Sequence, residues 1–494
     1  MRDRVLSLWP SLCATASAFA VTLVISNSSY GAAANLPNPA VPTECDRLAA
    51  NPLDPDLPSG FPGVVKWDDI NPDAAIPACR RALENAPDDR RVRFQLGRAL
   101  QSGKKLQEAR LEYEQAAAAG TTSAMSALGW LYANGQGVDK DYAQARAWYQ
   151  KAADQGLAAA QYALGWLYTN GQGVAKDYAE AQAWYQKAAD QGNAAAQYAL
   201  GWLYENGQGV AKDYTQARAW YQKAADQGLA TAQYNLGRLY ANGQGVDKDY
   251  AQARAWYQKA ADQGNAGGQN NLGSIYVNGW GVAKDFAQAR AWYQKAADQG
   301  LDTAQYNLGW LYATGQGVAK DYIQARAWLQ KAADQGDASA QFNLGVLYEN
   351  GRGVAKDYVQ ARALYQSAAD QCNADAQVNL GVLYENGRGV AKDYIQARAW
   401  YQKAADQGNA GGQNNLGVIY ENGWGVAKDY AEARAWYQKA ADQGNADAQK
   451  NIGVIYENGW GVAKDYAEAR AWYQKAADQG NADAIAYLKE LPRP

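Results

Sequence analysis

The chain repeats one pattern of apolar and polar positions every 36 residues, ten times between residues 121 and 480. In the copy at residues 157–192, the first half carries apolar residues at i, i+4, i+7 and i+8: Ala160, Leu164, Leu167 and Tyr168. The second half carries another stripe at helical spacing: Tyr178, Ala181, Trp184, Tyr185 and Ala188. Each copy therefore predicts two amphipathic helices. A fixed period of this length predicts an all-α solenoid, in which each unit buries its apolar face against its neighbours.

The joint between the two predicted helices is short and rich in glycine. Gly171 and Gly173 suit a positive φ, and the spacing favours an antiparallel hairpin. Asp177 stands where the second helix should begin, and Glu180 three residues later completes the arrangement of a capping box. Gly165 interrupts the first helix in every copy, at a cost of about 1 kcal/mol against Ala. Its constancy predicts the close approach of another helix.

The residues of one unit combine into the pattern A-x-x-Q-Y-x-L-G-x-L-Y-x-N-G-x-G-V-x-x-D-Y-x-x-A-x-x-W-Y-x-K-A-A-x-Q-G. This pattern strongly resembles the Sel-one-like repeat, a longer-looped relative of the tetratricopeptide repeat, over residues 121–480. The resemblance implies a right-handed superhelical solenoid of antiparallel helix pairs. It also implies a protein that binds other proteins and scaffolds assemblies, with a ligand that differs from member to member.

Four segments flank the repeats. Residues 1–34 carry basic residues, then an apolar run, then Ala32-Ala33-Ala34, which predicts a cleaved signal peptide. The alternative is an uncleaved membrane anchor, because about 20 apolar residues could span a bilayer. Residues 35–63 hold seven of the thirteen prolines and predict a loosely packed linker. Residues 64–120 resemble tetratricopeptide units that cap the array, and residues 481–494 predict a C-terminal cap.

The cysteines provide evidence on the cellular compartment in which the protein acts. Removal of the signal peptide would leave Cys45, Cys79 and Cys372. Cys45 and Cys79 flank the linker and the first helix, so a disulfide between them is predicted for an exported protein, periplasmic or secreted and of bacterial origin. The alternative is two unpaired buried thiols. Cys372 replaces a glycine that is otherwise constant in the repeats, and no reactive role is predicted for it.

The composition argues against most kinds of catalytic, metal-binding and nucleic-acid-binding site. The chain has no histidine, which removes the commonest general base and the imidazole metal ligand. A net charge of −3, with both signs mixed inside every repeat, gives no basic footprint for nucleic acid. No catalytic residue, cofactor or metal site is predicted. The acidic positions of Asp177 and Asp190 recur in all ten copies, whereas an active site should break the repeat symmetry once.

A ligand is expected where the copies differ on an exposed face. On the first helix of each copy this face carries the aromatic residues Tyr162, Trp166, Tyr198, Trp202, Tyr234, Tyr306 and Trp310. Beside it runs an asparagine ladder that includes Asn235, Asn271, Asn307 and Asn343. Tryptophan and tyrosine are favoured interface anchors, and amides can bond the backbone of an extended peptide. The alternative is that the aromatics pack on the next repeat and the asparagines bond neighbouring helices.

The hairpin loop provides a second variable position. Five copies have Gln there, and the other five have Trp280, Arg352, Arg388, Trp424 and Trp460. These side chains could contact a partner or a sugar polymer, or fold back over the helix pair.

The sequence therefore predicts an exported, non-enzymatic repeat scaffold that binds proteins or extended peptides through its concave helix face. The alternative function is a glycan-binding or envelope polysaccharide or peptidoglycan assembly factor that uses surface aromatics. A third and weaker hypothesis is a hydrolase based on paired carboxylates. A membrane association is expected only if the N-terminal segment is not cleaved.

Overall fold

The structure is a computed structural model that describes residues 42–51, 54, 56–57, 63–64 and 69–492. The predicted signal peptide lies outside the described residues. The described part is all-helical and contains no strand. None of its helices combines the length and the apolar character needed to cross a membrane.

The described residues form 25 helices. Their bounds are α1 (Glu44–Ala49), α2 (Pro72–Asn85), α3 (Arg90–Ser102), α4 (Leu106–Ala118), α5 (Thr122–Asn134), α6 (Tyr142–Asp154), α7 (Ala158–Asn170), α8 (Tyr178–Asp190), α9 (Ala194–Asn206), α10 (Tyr214–Asp226), α11 (Ala230–Asn242), α12 (Tyr250–Asp262), α13 (Ala266–Asn278), α14 (Phe286–Asp298), α15 (Asp302–Thr314), α16 (Tyr322–Asp334), α17 (Ala338–Asn350), α18 (Tyr358–Asp370), α19 (Ala374–Asn386), α20 (Tyr394–Asp406), α21 (Ala410–Asn422), α22 (Tyr430–Asp442), α23 (Ala446–Asn458), α24 (Tyr466–Asp478) and α25 (Ala482–Glu490).

We number the repeats 1 to 10 from residue 121, and call the first helix of each repeat helix A and the second helix B. Within each unit, helices A and B of one repeat pack together, as α7 and α8 do, and helix B packs on helix A of the next repeat, as α8 does on α9. The helices divide into two compact units, one of residues up to 268 with 280–282, the other of residues 269–279 and 283–492. The repeats in both units consist of the same kind of helix pair, one helix A and one helix B.

One junction in the first unit shows how the core is built. Ala181, Tyr185 and Ala188 of α8 are buried against Leu200 and Leu203 of α9. The small alanines allow the helices to approach, and the buried tyrosine ring contributes a large apolar area. The same cluster recurs in the second unit, where Tyr437 of α22 packs with Ile452 and Ile455 of α23. The aromatic residue that follows Trp184, Tyr in nine of the ten repeats and Leu329 in the other, is therefore core, as the sequence predicts.

The mid-helix glycine makes room for this tyrosine. A Cβ atom added to Gly165 would lie 2.5 Å from the Cδ1 and Cε1 atoms of Tyr185. Real Cβ atoms almost never come so close to another heavy atom. The predicted close approach is confirmed, and the approaching helix is helix B of the same repeat.

The hairpin and the helix-B cap follow the sequence pattern in most respects. Gly171 and Gly173 have φ of 67° and 65°. The side chain of Asp177 accepts hydrogen bonds from the backbone N–H groups of Ala179 and Glu180. The predicted capping box is nevertheless incomplete, because the N–H of Asp177 donates to the carbonyl of Tyr168 at 3.0 Å. The hairpin thus provides the acceptor that the Glu180 side chain was expected to supply.

A polar contact links successive repeats. The side-chain amide of Gln161 on α7 donates to the carbonyl of Ala153 on α6 at 3.3 Å. Gln191, which follows α8, donates to the Oε1 atom of Gln161 at 2.7 Å. Equivalent pairs recur along the array, for example between Gln407 and Gln377. A buried amide with its partners satisfied favours one register of neighbouring repeats.

The segment predicted as a linker is packed where the structure describes it. Helix α1 lies within it, and Cys45 forms a disulfide with Cys79 of α2. The buried carboxylate of Asp46 accepts hydrogen bonds from the guanidinium of Arg91 and from the amide of Gln95, the latter at 2.6 Å. Both donors lie on α3. Helix α1 is therefore attached to the capping helices by one covalent bond and a buried ion pair.

Candidate binding groove

A groove of about 470 Å³ opens on the A helices of repeats 3 and 4 and the first turn of α13, within the first unit. Its lining is formed by Tyr198, Trp202, Glu205, Asn206, Thr231, Tyr234, Asn235, Arg238, Asn265 and Gly267. Four of these residues, Tyr198, Trp202, Tyr234 and Asn235, belong to the site predicted from the sequence. A groove of this volume falls in the range of small-ligand pockets.

Aromatic rings form the apolar part of the groove. Tyr198 packs on Tyr221 of its own repeat, with ring centroids 5.6 Å apart, and Tyr234 packs in the same way on Tyr257 at 6.0 Å. Trp202 packs at 6.4 Å on Tyr178, the first residue of helix B in the preceding repeat. All three lining rings are half-buried. Each ring is thus fixed from behind and presents its remaining surface to the groove.

An ion pair forms the polar part. The guanidinium of Arg238 binds the carboxylate of Glu205, which also accepts a hydrogen bond from the hydroxyl of Tyr221 at 2.7 Å. Burial lowers the pKa of Arg238, but the carboxylate of Glu205, together with Tyr234 and Tyr221, raises it above its ordinary value. The Arg238 side chain keeps about 37% of its surface exposed, against 11% for Glu205. The accessible charge in the groove is therefore mainly positive.

Arg238 and Glu205 were not among the predicted site residues, although the repeats contain a signal for Arg238. Its position is Trp, Ser or Val in the other nine repeats, so Arg238 breaks the symmetry with the one charge found there.

One end of the groove depends on a glycine. A Cβ atom at Gly267 would lie 2.9 Å from the Cε2 atom of Tyr234. The same position is Ala, Ser, Thr or Asp in most other repeats. The absence of a side chain at this position therefore leaves space beside the Tyr234 ring.

Two predicted site residues, Tyr162 and Trp166, lie on the preceding A helix and outside this groove. Tyr162 packs on Tyr185 at 5.7 Å, and Trp166 packs on Tyr142 at 6.5 Å. Burial raises the pKa of Tyr162 to about 12, with a smaller contribution from Tyr198. Both side chains make the same intramolecular contacts as their counterparts Tyr198 and Trp202.

The hydrogen bonds of the asparagine ladder favour the alternative interpretation of these residues. Asn235 donates to the hydroxyl of Tyr198 at 3.5 Å, and Asn343 donates to the hydroxyl of Tyr306 at 3.3 Å. Asn307 donates to the Oδ1 atom of Asn270 at 3.0 Å. Each bond reaches helix A of the preceding repeat. These amides therefore join neighbouring repeats, which was the alternative interpretation, and Asn343 is only 1% exposed.

The remaining predicted residues lie in the second unit. Asn271 is half-buried and accepts a hydrogen bond from its neighbour Asn270 at 3.4 Å. Tyr306 and Trp310 were predicted as ligand contacts, but they are 8% and 6% exposed and belong to the core. Their burial is incompatible with a role as surface anchors without local opening.

The variable loop residues fold back onto the preceding repeat. Trp280, Trp424 and Trp460 stack on Tyr250, Tyr394 and Tyr430 respectively, with centroids 5.0, 4.9 and 5.1 Å apart. The guanidinium groups of Arg352 and Arg388 lie over Tyr322 and Tyr358, at 5.5 and 5.6 Å. Each of these loop residues therefore packs on the tyrosine that begins helix B of the preceding repeat. Within the described ranges, no group of three or more acidic, Cys or His side chains is placed to hold a metal ion.

Comparisons with known proteins agree with this architecture. The Sel1 repeat pattern matches ten segments: residues 122–157, 158–193, 194–229, 230–265, 266–301, 302–337, 338–371, 374–409, 410–445 and 446–481. A tetratricopeptide repeat pattern matches residues 64–124, where the sequence predicts capping units. A search of curated proteins found no match.

Solved structures include similar repeat proteins. The crystal structure of c5321, a protective antigen of uropathogenic Escherichia coli strains with an SLR fold, is 38% identical with a TM-score of 0.75. It covers 84% of this chain and 90% of its own. A Sel1 repeat protein from Oxalobacter formigenes is 37% identical over 62% of this chain and 90% of its own, with a TM-score of 0.49. The family pattern covers well over half of the chain. The chain therefore belongs to the Sel1 repeat family.

Proposed function

We propose that this protein is a non-enzymatic scaffold that binds an extended segment of another protein in the groove formed by α9, α11 and the start of α13. The observation that carries the proposal is the convergence of Tyr198, Trp202, Tyr234 and Arg238 on one volume. Sel1 and tetratricopeptide repeats typically serve as protein-interaction scaffolds.

The groove offers two kinds of contact to a peptide. The half-buried aromatic rings are held by intramolecular packing, so they provide apolar surface at little entropic cost on binding. Arg238 provides planar hydrogen-bond donors for a carboxylate or a carbonyl group. The expected ligand is a segment with an apolar or aromatic side chain near a carboxylate.

A pair of tryptophans provides a matched test. Trp202 and Trp166 make equivalent contacts with the tyrosines that begin the preceding B helices, but only Trp202 lines this groove. Peptides selected from a random library on the full chain should bind Trp202→Ala at least tenfold more weakly than the parent. They should bind Trp166→Ala as tightly as the parent.

The melting curves complete the test. Both variants lose the same tyrosine contact, so we expect equal losses of thermal stability. Equal losses of binding in both variants would contradict the groove assignment, and so would unchanged binding by Trp202→Ala.

We also propose that the protein acts outside the cytoplasm. The N-terminal sequence supports export, and a disulfide between buried cysteines suits an oxidising compartment. N-terminal sequencing of the mature protein should begin near residues 33–35. Recovery of intact Met1 from the membrane fraction would instead support the anchor.

A further inference from the structure

A row of exposed aliphatic side chains lies on three consecutive repeats of the second unit. Ile323, Val359 and Ile395 occupy the second residue of helix B in repeats 6, 7 and 8, and they are 62%, 54% and 60% exposed. We call these three residues the aliphatic row. The same position is Ala in six other repeats and Thr in one.

The stability of the fold does not explain why these three positions carry large aliphatic side chains. A side chain that keeps more than half of its surface in water gains little from the hydrophobic effect. β-Branched residues also have a lower helix propensity than Ala. Three successive exposed aliphatic residues, where the other repeats have small ones, are instead typical of an interaction surface.

Several positively charged side chains lie around the aliphatic row. Arg352 and Arg388 are the two variable loop residues that are Arg rather than Gln or Trp. They belong to the hairpin loops of repeats 7 and 8, and they lie over Tyr322 and Tyr358, which directly precede Ile323 and Val359. Three lysines also lie over the tyrosine that precedes each row residue, namely Lys320, Lys356 and Lys392. The surroundings of the row therefore carry several positive charges.

Carboxylates of the same repeats accept hydrogen bonds within the protein. Asp321 accepts hydrogen bonds from the N–H groups of Ile323 and Gln324, and the same cap forms at Asp357 and Asp393. Glu349 and Glu385 accept hydrogen bonds from the hydroxyls of Tyr365 and Tyr401. The next position along helix B is Gln in repeats 6 to 8, whereas it is Glu in repeats 9 and 10.

We propose that the aliphatic row, with Arg352 and Arg388, is a second docking surface for an acidic amphipathic segment of a partner protein. Aliphatic side chains of the partner would cover the row, and its flanking carboxylates would face the arginines and lysines. This surface lies at the start of the B helices and is distinct from the groove on the A helices.

The repeats themselves supply substitutions that preserve the fold. The triple variant Ile323→Ala, Val359→Ala and Ile395→Ala installs the residue found in six other repeats, and Arg352→Gln with Arg388→Gln installs the commonest loop residue. Both variants should melt like the parent. The probe is a random library of 12-residue peptides, selected on the full chain that carries Trp202→Ala so that groove binders are depleted.

The selected peptides should be enriched in Asp and Glu together with Leu, Ile, Val or Phe. The triple variant should bind them at least tenfold more weakly, and the arginine variant should weaken binding severalfold and reduce its dependence on salt. Selection of basic peptides, or equal binding by the triple variant, would overturn the proposal. Two further results would also overturn it: dimerisation that the triple variant abolishes, and binding of phosphatidylglycerol vesicles without any peptide.

Discussion

Replacing one mid-helix glycine by alanine sets two effects of opposite sign against each other. In repeat 8, a Cβ atom at Gly381 would lie 2.5 Å from the Cε1 atom of Tyr401 and 2.7 Å from its Cδ1 atom. Tyr401 is fully buried, and its hydroxyl donates to Glu385 at 2.6 Å. The ring cannot move away without disturbing that hydrogen bond or the neighbouring helix.

The magnitudes of the two effects decide whether Gly381→Ala stabilises or destabilises the repeat. Alanine should gain about 1 kcal/mol over glycine in helix propensity. Overpacking of a filled core typically costs about 1–3 kcal/mol, and a weakened hydrogen bond to a charged group costs about 1.5–3 kcal/mol more. We therefore expect Gly381→Ala to destabilise its junction by about 1.5–5 kcal/mol.

Repeat 6 provides the matched control. Gly309 faces Leu329 instead of tyrosine, with the hypothetical Cβ atom 2.8 Å from the leucine Cγ atom. Leucine is smaller and has no hydroxyl bond to lose, so Gly309→Ala should cost at least 1 kcal/mol less than Gly381→Ala.

Native-state hydrogen exchange is the appropriate assay, because a repeat array loses stability locally and need not unfold in one step. Exchange in Gly381→Ala should accelerate in α19 and α20, and distant repeats should stay protected. A Gly381→Ala variant with slower exchange than the parent would show that helix propensity dominates and would refute the close-packing argument.

Three other predictions concern single side chains. Burial, with a contribution from the negative charge of Asp56, raises the pKa of Asp54 to about 7 from 3.8. The protonated Asp54 side chain therefore stabilises the folded state fully below about pH 4, and this stabilisation is lost as the pH rises through 7. Asp54→Asn should remove this loss, which urea denaturation at pH 5 and pH 8 would measure, and an unchanged pH dependence would contradict it. Cys45 and Cys79 are fully buried, whereas Cys372 is exposed, so iodoacetamide added to the native protein with mild reductant should alkylate Cys372 alone. Mass spectrometry would detect labelling at the other two cysteines if that reasoning is wrong. Trp310→Ala should lower stability by about 3–5 kcal/mol as a core truncation, and a variant that melts like the parent would show that this tryptophan is not core.

The sequence predicts the repeat unit well because local physics determines it. The apolar stripes, the cap at Asp177 and the left-handed Gly171 each depend on a few adjacent residues, and the structure reproduces them. The close approach at Gly165 was predicted for the same reason. The identity of its partner, Tyr185, was not predicted, because periodicity does not distinguish a helix of the same repeat from one of the next.

The candidate site was harder to predict for a related reason. In a strict repeat, every surface position has equivalents 36 residues away, so a ladder such as Asn235 to Asn343 suits either a ligand or the neighbouring repeat. The hydrogen bonds of Asn235, Asn307 and Asn343 to the preceding A helix are contacts between repeats, which no single unit reveals. Proline content likewise obscured α1, since Asp46 is held by side chains about 45 residues later in the chain.

The proposed groove is tested most directly by photo-crosslinking from two exposed threonines of the same unit. Thr231 lines the groove, whereas Thr215 lies at the start of helix B in the preceding repeat and outside the groove. Benzoylphenylalanine placed at position 231 should crosslink to a peptide that binds the parent but not the Trp202→Ala variant, and the same group at position 215 should not. Crosslinking from position 215 in preference to position 231 would contradict the assignment of the groove as the binding site.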